Sequence, residues 1–218
     1  QLLAAALVVA CGVASFLSMR LMYESLLFAR DDYYRAQRFA EVFVQLKRAP
    51  DSLRTRIAEI PGVAEVRTRV VMGVTLDVPG LPEPATGRLV SVPEHREPML
   101  NDLFLRRGRY IEAGHPEEAI ASEAFAAANR LEVGDRIGAV INGRWKQLRM
   151  VGVALSPEYI YEVGAGSMFP DNRRFGVLWM SRDAVGPAFD MDGAFNDVVA
   201  SLAPGAIEAD VLAQLDRL

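Results

Sequence analysis

The residues able to do chemistry are few. Two histidines, His95 and His115, stand twenty positions apart, and His115-Pro116-Glu117-Glu118 lacks the spacing that sets two imidazoles on one helix face around zinc. Ser167 follows Gly166 but has no second glycine to build a nucleophile elbow, and no histidine and acid pair point to it. The phosphate-cradling spacing G-x-x-x-x-G-K-[ST] does not occur. Adjacent carboxylates, Asp31/Asp32 and Glu117/Glu118, read as solvated pairs in helix and turn contexts. No catalytic, cofactor or metal site is expected, and the chain reads as a non-enzyme. The stretch 159–174 has a different chemistry. It gathers Tyr159, Tyr161, Met168, Phe169, Arg173 and Arg174 around flexible glycines. Aromatic, methionine and arginine side chains are what interface centres favour, so these six are the candidate contacts for a partner or substrate. The plainer reading folds this loop over its own domain with Phe169 in the core.

The elements that must carry that loop follow from composition and pattern. The 218 residues are 51% hydrophobic and 24% charged, enough for a packed core in one large or two small domains. Seventeen glycines, twelve prolines and one cysteine exclude collagen-like and disulfide-scaffold classes, and a net charge of −4 argues against a nucleic-acid partner. Residues 2–19 carry no charge, about the minimum length that spans a bilayer, and are expected to form a transmembrane helix over 1–19. No proline or glycine interrupts 16–47, so the helix is expected to continue as an amphipathic stalk over 20–38.

Beyond the stalk, alternation over 39–46 predicts a strand. Helical spacing of Leu53, Ile57 and Ile60 follows, stopped by Pro61-Gly62. A long alternating run over 63–78 predicts a second strand, and 88–92 a short returning one. Residues 93–105 read as loop with a short helical stretch. Strands are expected at 118–122, 136–141, 145–155 and 175–180, with Asn142-Gly143 as a hairpin turn. Ser122 and Ser181 read as helix N-caps. The strand 195–202 and the helical spacing of Ile207, Val211, Leu212 and Leu215 repeat the strand–helix order of 39–60. That second repeat ends without its closing strand, so the sequence reads as part of a longer protein. The fold class expected is α+β: a ferredoxin-like βαβ-type sandwich with an inserted, small β-rich subdomain, preceded by the transmembrane helix.

Four segments in this order carry a family likeness: Ile60-Pro61-Gly62-Val63, Ser122-Glu123-Ala124-Phe125, Leu131-Glu132-Val133-Gly134-Asp135 and Met150-Val151-Gly152-Val153. Placed after a membrane helix and stalk, they resemble the MacB-like periplasmic core domain of FtsX-like ABC transporter permeases. The resemblance implies a porter-like first half over 39–92, a sabre-like insert over 93–194 and a porter-like second half over 195–218. It implies a bacterial inner-membrane location with the domain on the periplasmic side, and no cofactor. The partners it implies are an ABC-type ATPase on another chain, a periplasmic adaptor and a second permease copy or pseudo-copy. The function it implies is coupling ATP hydrolysis to substrate export or extraction. An extracytoplasmic ligand-sensing domain of a membrane receptor is the competing expectation. A membrane-anchored hydrolase is a third class, but no nucleophile with a base in reach was found for it.

Overall fold

The computed structural model describes residues 2–164 and 168–218, with the side chains of 2–5, 8 and 9 outside the description. In chain order the elements are α1 (Leu2–Ala36), β1 (Val42–Pro50), α2 (Leu53–Ala58), β2 (Val63–Arg69), β3 (Val71–Asp77), β4 (Ala85–Val92), β5 (Phe104–Gly108) and β6 (Glu118–Ser122). They continue with α3 (Glu123–Asn129), β7 (Arg136–Ile141), β8 (Arg144–Leu155), a 3₁₀ turn (Pro157–Tyr159), β9 (Phe175–Ser181), α4 (Arg182–Ala188), β10 (Ala194–Leu202) and α5 (Glu208–Leu215).

The chain divides into two units, residues 1–36 and residues 37–218. The first is α1, one unbroken helix of 35 residues, about 50 Å long at 1.5 Å per residue. The absence of proline and the single Gly12 allow that continuity. Leu7, Phe16, Leu17, Met19, Leu21 and Phe28 are all more than half exposed along it. Among the described residues, no helix is long and apolar enough to cross a membrane. The span expected over 1–19 includes side chains that lie outside the described residues.

The second unit is built on two sheets. The smaller has the order β1-β10-β2, with β10 antiparallel to both neighbours. Val42, Val66, Phe195, Val198 and Ala200 meet in one core, where Ile57 and Ile60 of the α2 segment and Val211 of α5 join them. The larger sheet runs β5-β8-β6-β9-β4-β3-β7, and β7 pairs again with β8. That last pairing closes a six-stranded barrel, with β5 extending the long β8 beyond it. Closure removes the exposed edges that six open strands would leave. The β7–β8 turn is Asn142-Gly143, both with positive φ (47° and 74°), as the two-residue hairpin requires.

Leu76, Leu89, Ile137, Leu148, Met150 and Leu178 fill the barrel, and Phe125 of α3 is buried among them. A second apolar layer, including Val92, Leu103, Ile120, Val151 and Trp179, covers its outer face. Strand β9 lies between the two layers, and every residue of it is buried.

The structure departs from the sequence expectation in several places. The run 63–78 is two strands, not one. β2 ends in the small sheet, and β3 begins in the barrel. β3 and β4 pair with β7 and β9, so the sheets divide the chain near residue 70, not at 92/93. The cause is a change of hydrogen-bonding partner at Val70 and Val71, whose N–H groups go to Ser91 Oγ and Asn196 Oδ1, both at 2.8 Å. The apolar face continues through the switch, so the alternation does not register it. Strand β1 starts at Val42 and runs on through Pro50. Residues 93–103 hold turns and irregular chain without a helix. Helix α4 continues through Gly186 and Pro187 to Ala188, so the expected stop falls one residue late, and the helix ends directly after its proline.

Candidate functional site

The loop that follows β8 is anchored at its start. Ser156 caps the 3₁₀ turn, its Oγ accepting from the Glu158 N–H. The turn sends Tyr159 inward, where its ring meets Trp179 edge-on at 6.1 Å and the Arg88 guanidinium lies 5.9 Å from the ring centre. Tyr159 is buried and belongs to the outer apolar layer of the barrel. It is therefore not available to a partner, which corrects the sequence expectation for this residue. Ile160 and Tyr161 turn out to solvent. Glu162 turns back in and is 4% exposed, its Oε2 accepting from Ser122 Oγ at 2.9 Å. Burial pushes its carboxyl up to about 7, against the pull of Ser122 and the Val177 N–H.

Past residues 165–167, which are outside the described residues and include Ser167, the chain stays at the surface. Met168 is 87% and Phe169 74% exposed, so Phe169 is not a core residue. Asp171 Oδ1 accepts from the backbone N–H groups of Arg173 and Arg174, both at 3.2 Å, an Asx turn that ends the loop. Arg174 is held by Glu83 at 3.1 Å, and Arg173 is exposed. Of the six expected residues, Tyr161, Met168, Phe169 and Arg173 thus remain outward, and Arg174 is tied to the β3–β4 connection.

A second constellation joins the two sheets, and the sequence reading missed it. Arg69, the last residue of β2, is 3% exposed. Its Nε donates to Asp197 Oδ1 at 2.8 Å and its Nη2 to Glu158 Oε1 at 2.9 Å, with Nη1 on Glu158 Oε2. Asn101 closes the ring: its Nδ2 donates to Glu158 Oε2 at 2.9 Å and its Oδ1 accepts from the Ala40 N–H at 2.8 Å. The Asn101 N–H itself donates to the Arg38 carbonyl at 3.0 Å. One guanidinium thereby links β2, β10, the 3₁₀ turn and, through Asn101, the chain at 38–40 just after α1. Burial pulls Arg69 down, but the Glu158 and Asp197 carboxylates more than offset it and hold it above the ordinary arginine range. Burial likewise pushes Glu158 up, and the Arg69 and Asn101 hydrogen bonds win, holding it below the usual carboxylate range. Arg69 sits on the polar face of a regular alternation, and its partners are far along the chain. Only its being a charged residue next to two switching strands could have hinted at this role.

Glu118 also differs from expectation. Far from being solvated beside Glu117, its side chain is 1% exposed. It takes Arg109 Nη1 at 2.8 Å and the Glu112 N–H at 2.9 Å. The Arg109 hydrogen bonds hold it below the ordinary range. His115 Nδ1 stands 3.4 Å from Glu117 Oε1 at the surface. Among the described residues, no group of three His, Cys, Asp or Glu side chains is placed to hold a metal ion. These pairs fix conformation. Among the described residues, the buried carboxylates Glu118 and Asp197 are each matched to a guanidinium, and Glu162 is not.

Comparison of the sequence with protein families and with curated proteins gives no match. Solved structures do match. The extracellular domain of the noncanonic ABC-type transporter YknZ from Gram-positive bacteria aligns at a TM-score of 0.51 and 11% identity, over 80% of this chain and 91% of that one. The periplasmic region of MacB from Actinobacillus actinomycetemcomitans aligns at 0.47 and 13% identity, over 80% and 73%. A domain described as part of a permease protein from Porphyromonas gingivalis aligns at 0.42 and 14% identity, over 77% and 67%. The YknZ likeness is one of fold, and at that level it meets the resemblance read from the four sequence segments.

Proposed function

We propose that this chain is the extracytoplasmic domain, with an adjoining helix, of an ABC transporter permease. The observation that supports this reading most is the mixed α+β fold shared with the YknZ extracellular domain over nearly all of that domain. On this reading the small sheet is the porter-like half of a ferredoxin-like sandwich, and the barrel is the sabre-like subdomain. The apolar start of α1 lies in a bacterial inner membrane, and the body lies outside it. An ATPase on a separate chain drives the cycle, with a second permease copy beside it and a periplasmic adaptor or exported substrate as load. Hydrolysis can do this only if the two conformations of the domain differ in affinity for that load. The exposed Tyr161, Met168, Phe169 and Arg173 are the proposed contacts with it.

The test is reconstitution of the full permease with its ATPase in proteoliposomes, with Glu24→Pro and Arg30→Pro together breaking α1. Loss of substrate-stimulated ATP turnover is the expected result. Turnover and transport equal to wild type would overturn the coupling role. Tyr161→Ala with Phe169→Ala should separately abolish partner capture while basal turnover persists.

A further inference from the structure

A cleft of about 560 Å³ opens between the start of α2, strand β2 and residues 93–99. Its charged lining is three guanidiniums, Arg54, Arg67 and Arg182, and three carboxylates, Asp51, Glu65 and Glu97. Two of the carboxylates are already engaged. Asp51 takes Arg182 Nη2 at 2.7 Å, and Glu65 is paired with Arg38, which lies outside the lining. Arg182 gives two further donors to the Thr68 and Ala194 carbonyls, at 3.2 and 3.0 Å.

Arg67 is different. It is half-buried, and its one hydrogen bond goes to the Leu100 carbonyl at a long 3.3 Å. It has no ion pair among the described residues, whereas Arg69, two residues on, takes two carboxylates. A guanidinium has five N–H donors in a planar fork, and leaving one half-buried without a counter-charge is costly. Burial and the nearby Arg69 charge draw Arg67 down to about 10, so it remains a cation at neutral pH. None of its nitrogens is both sealed from solvent and unbonded, so its spare donors are open to an incoming acceptor.

We propose that this cleft is a binding site for a carboxylate, with the Arg67 fork as its bidentate donor and the exposed Arg54 as a second cation at the rim. The charge count selects the class. With Asp51, Glu65 and the nearby Asp102 neutralised by Arg182, Arg38 and Arg96, Arg54 and Arg67 are left facing Glu97. The single net positive charge suits a planar monoanionic head, while a phosphate dianion would meet Glu97 with excess charge. This site does not depend on the transporter reading.

The test is calorimetric titration at about pH 8, where phosphate is a dianion, of the full chain in detergent micelles with propionate, with a short alanine-terminated peptide and with inorganic phosphate. Saturable propionate or peptide binding is expected. It should weaken about tenfold or more in Arg67→Met and a few-fold in Arg54→Ala, with Arg67→Lys between because it keeps charge but loses the fork. Tighter peptide than propionate binding assigns the carboxylate to a polypeptide, and the reverse to a small molecule. Either order supports the site. No saturation by either at about 100 mM, tighter binding of phosphate, or equal affinity in a folded Arg67→Met variant would overturn it. Arg54→Ala, at an exposed position, keeps the test decisive if Arg67→Met does not fold.

Discussion

At the scale of single residues, a few charged groups are buried, and their fates differ. Arg69 is matched on both sides. Arg69→Met would leave Asp197 and Glu158 as uncompensated buried carboxylates, a loss of about 3–5 kcal/mol in urea unfolding. Glu162 is the opposite case, a buried carboxyl with no cation. It holds its proton more tightly folded than unfolded, from the ordinary 4.5 up to about 7. Its contribution is therefore complete at low pH, fades as pH rises from 4.5 and is gone above about 7. Glu162→Gln should match wild type near pH 4 and exceed it near pH 8 in urea midpoint. Parallel pH profiles for the two proteins would sink this assignment. Glu158 and Glu118 act with the other sign: their depressed carboxyls support the fold at neutral pH, and that support is lost on acidification below the ordinary range. None of these roles is legible from sequence. Arg69, Glu118 and Glu162 look like any surface charge, because what distinguishes them is burial by segments 40 to 128 positions away or by a single loop.

At the scale of elements, much was legible. The hairpin at Asn142-Gly143, the helix stop at Pro61-Gly62, the buried run of β9 and the cap at Ser181 each rest on a local rule that the fold obeys, whereas Ser122 precedes α3 without a side-chain cap bond, its hydroxyl donating to Glu162 and accepting from the Val177 N–H. What local rules could not supply is which strands share a sheet. Val66, Val70, Val74 and Leu76 continue one apolar face across two sheets, so periodicity joined what hydrogen bonding separates. The same holds for α3, whose seven residues are too few to stand alone and whose place is fixed by Phe125 in the barrel. That packing needs Gly176 on β9, since any Cβ there would collide with the Phe125 ring. Gly176→Ala should cost about 1–3 kcal/mol or more, and Phe125→Leu in the same chain should recover part of it. Strictly additive losses in the double variant would show that the two positions do not share that space.

At the scale of the whole chain, residues 37–218 carry their own apolar cores, while α1 is a separate unit. Residues 37–218 expressed alone should therefore melt at the temperature of the same body in the full chain, as near-ultraviolet circular dichroism would report. A large drop would mean that α1 is part of the folding unit. The candidate loop shows the limit of reading a site from composition. Its aromatic and arginine content marked the segment. Which of Tyr159, Tyr161 and Phe169 faces outward depended on one capped turn, whose burial partner, Trp179, comes twenty residues later.

The sheet switch at residue 70 has a consequence for how such a molecule could be assembled and taken apart. Arg69 and Asp197 are cross-strand neighbours in the small sheet, and Asn196 clasps Val71 with two 2.8 Å hydrogen bonds, one in each direction. The polypeptide leaves the small sheet and returns to it at a single doorway. The barrel is thus a cassette: a short connection grafted from Arg69 to Ala194 would leave β2 and β10 as antiparallel neighbours and keep Phe195 in the small-sheet core. A different module spliced at that doorway would meet the same host.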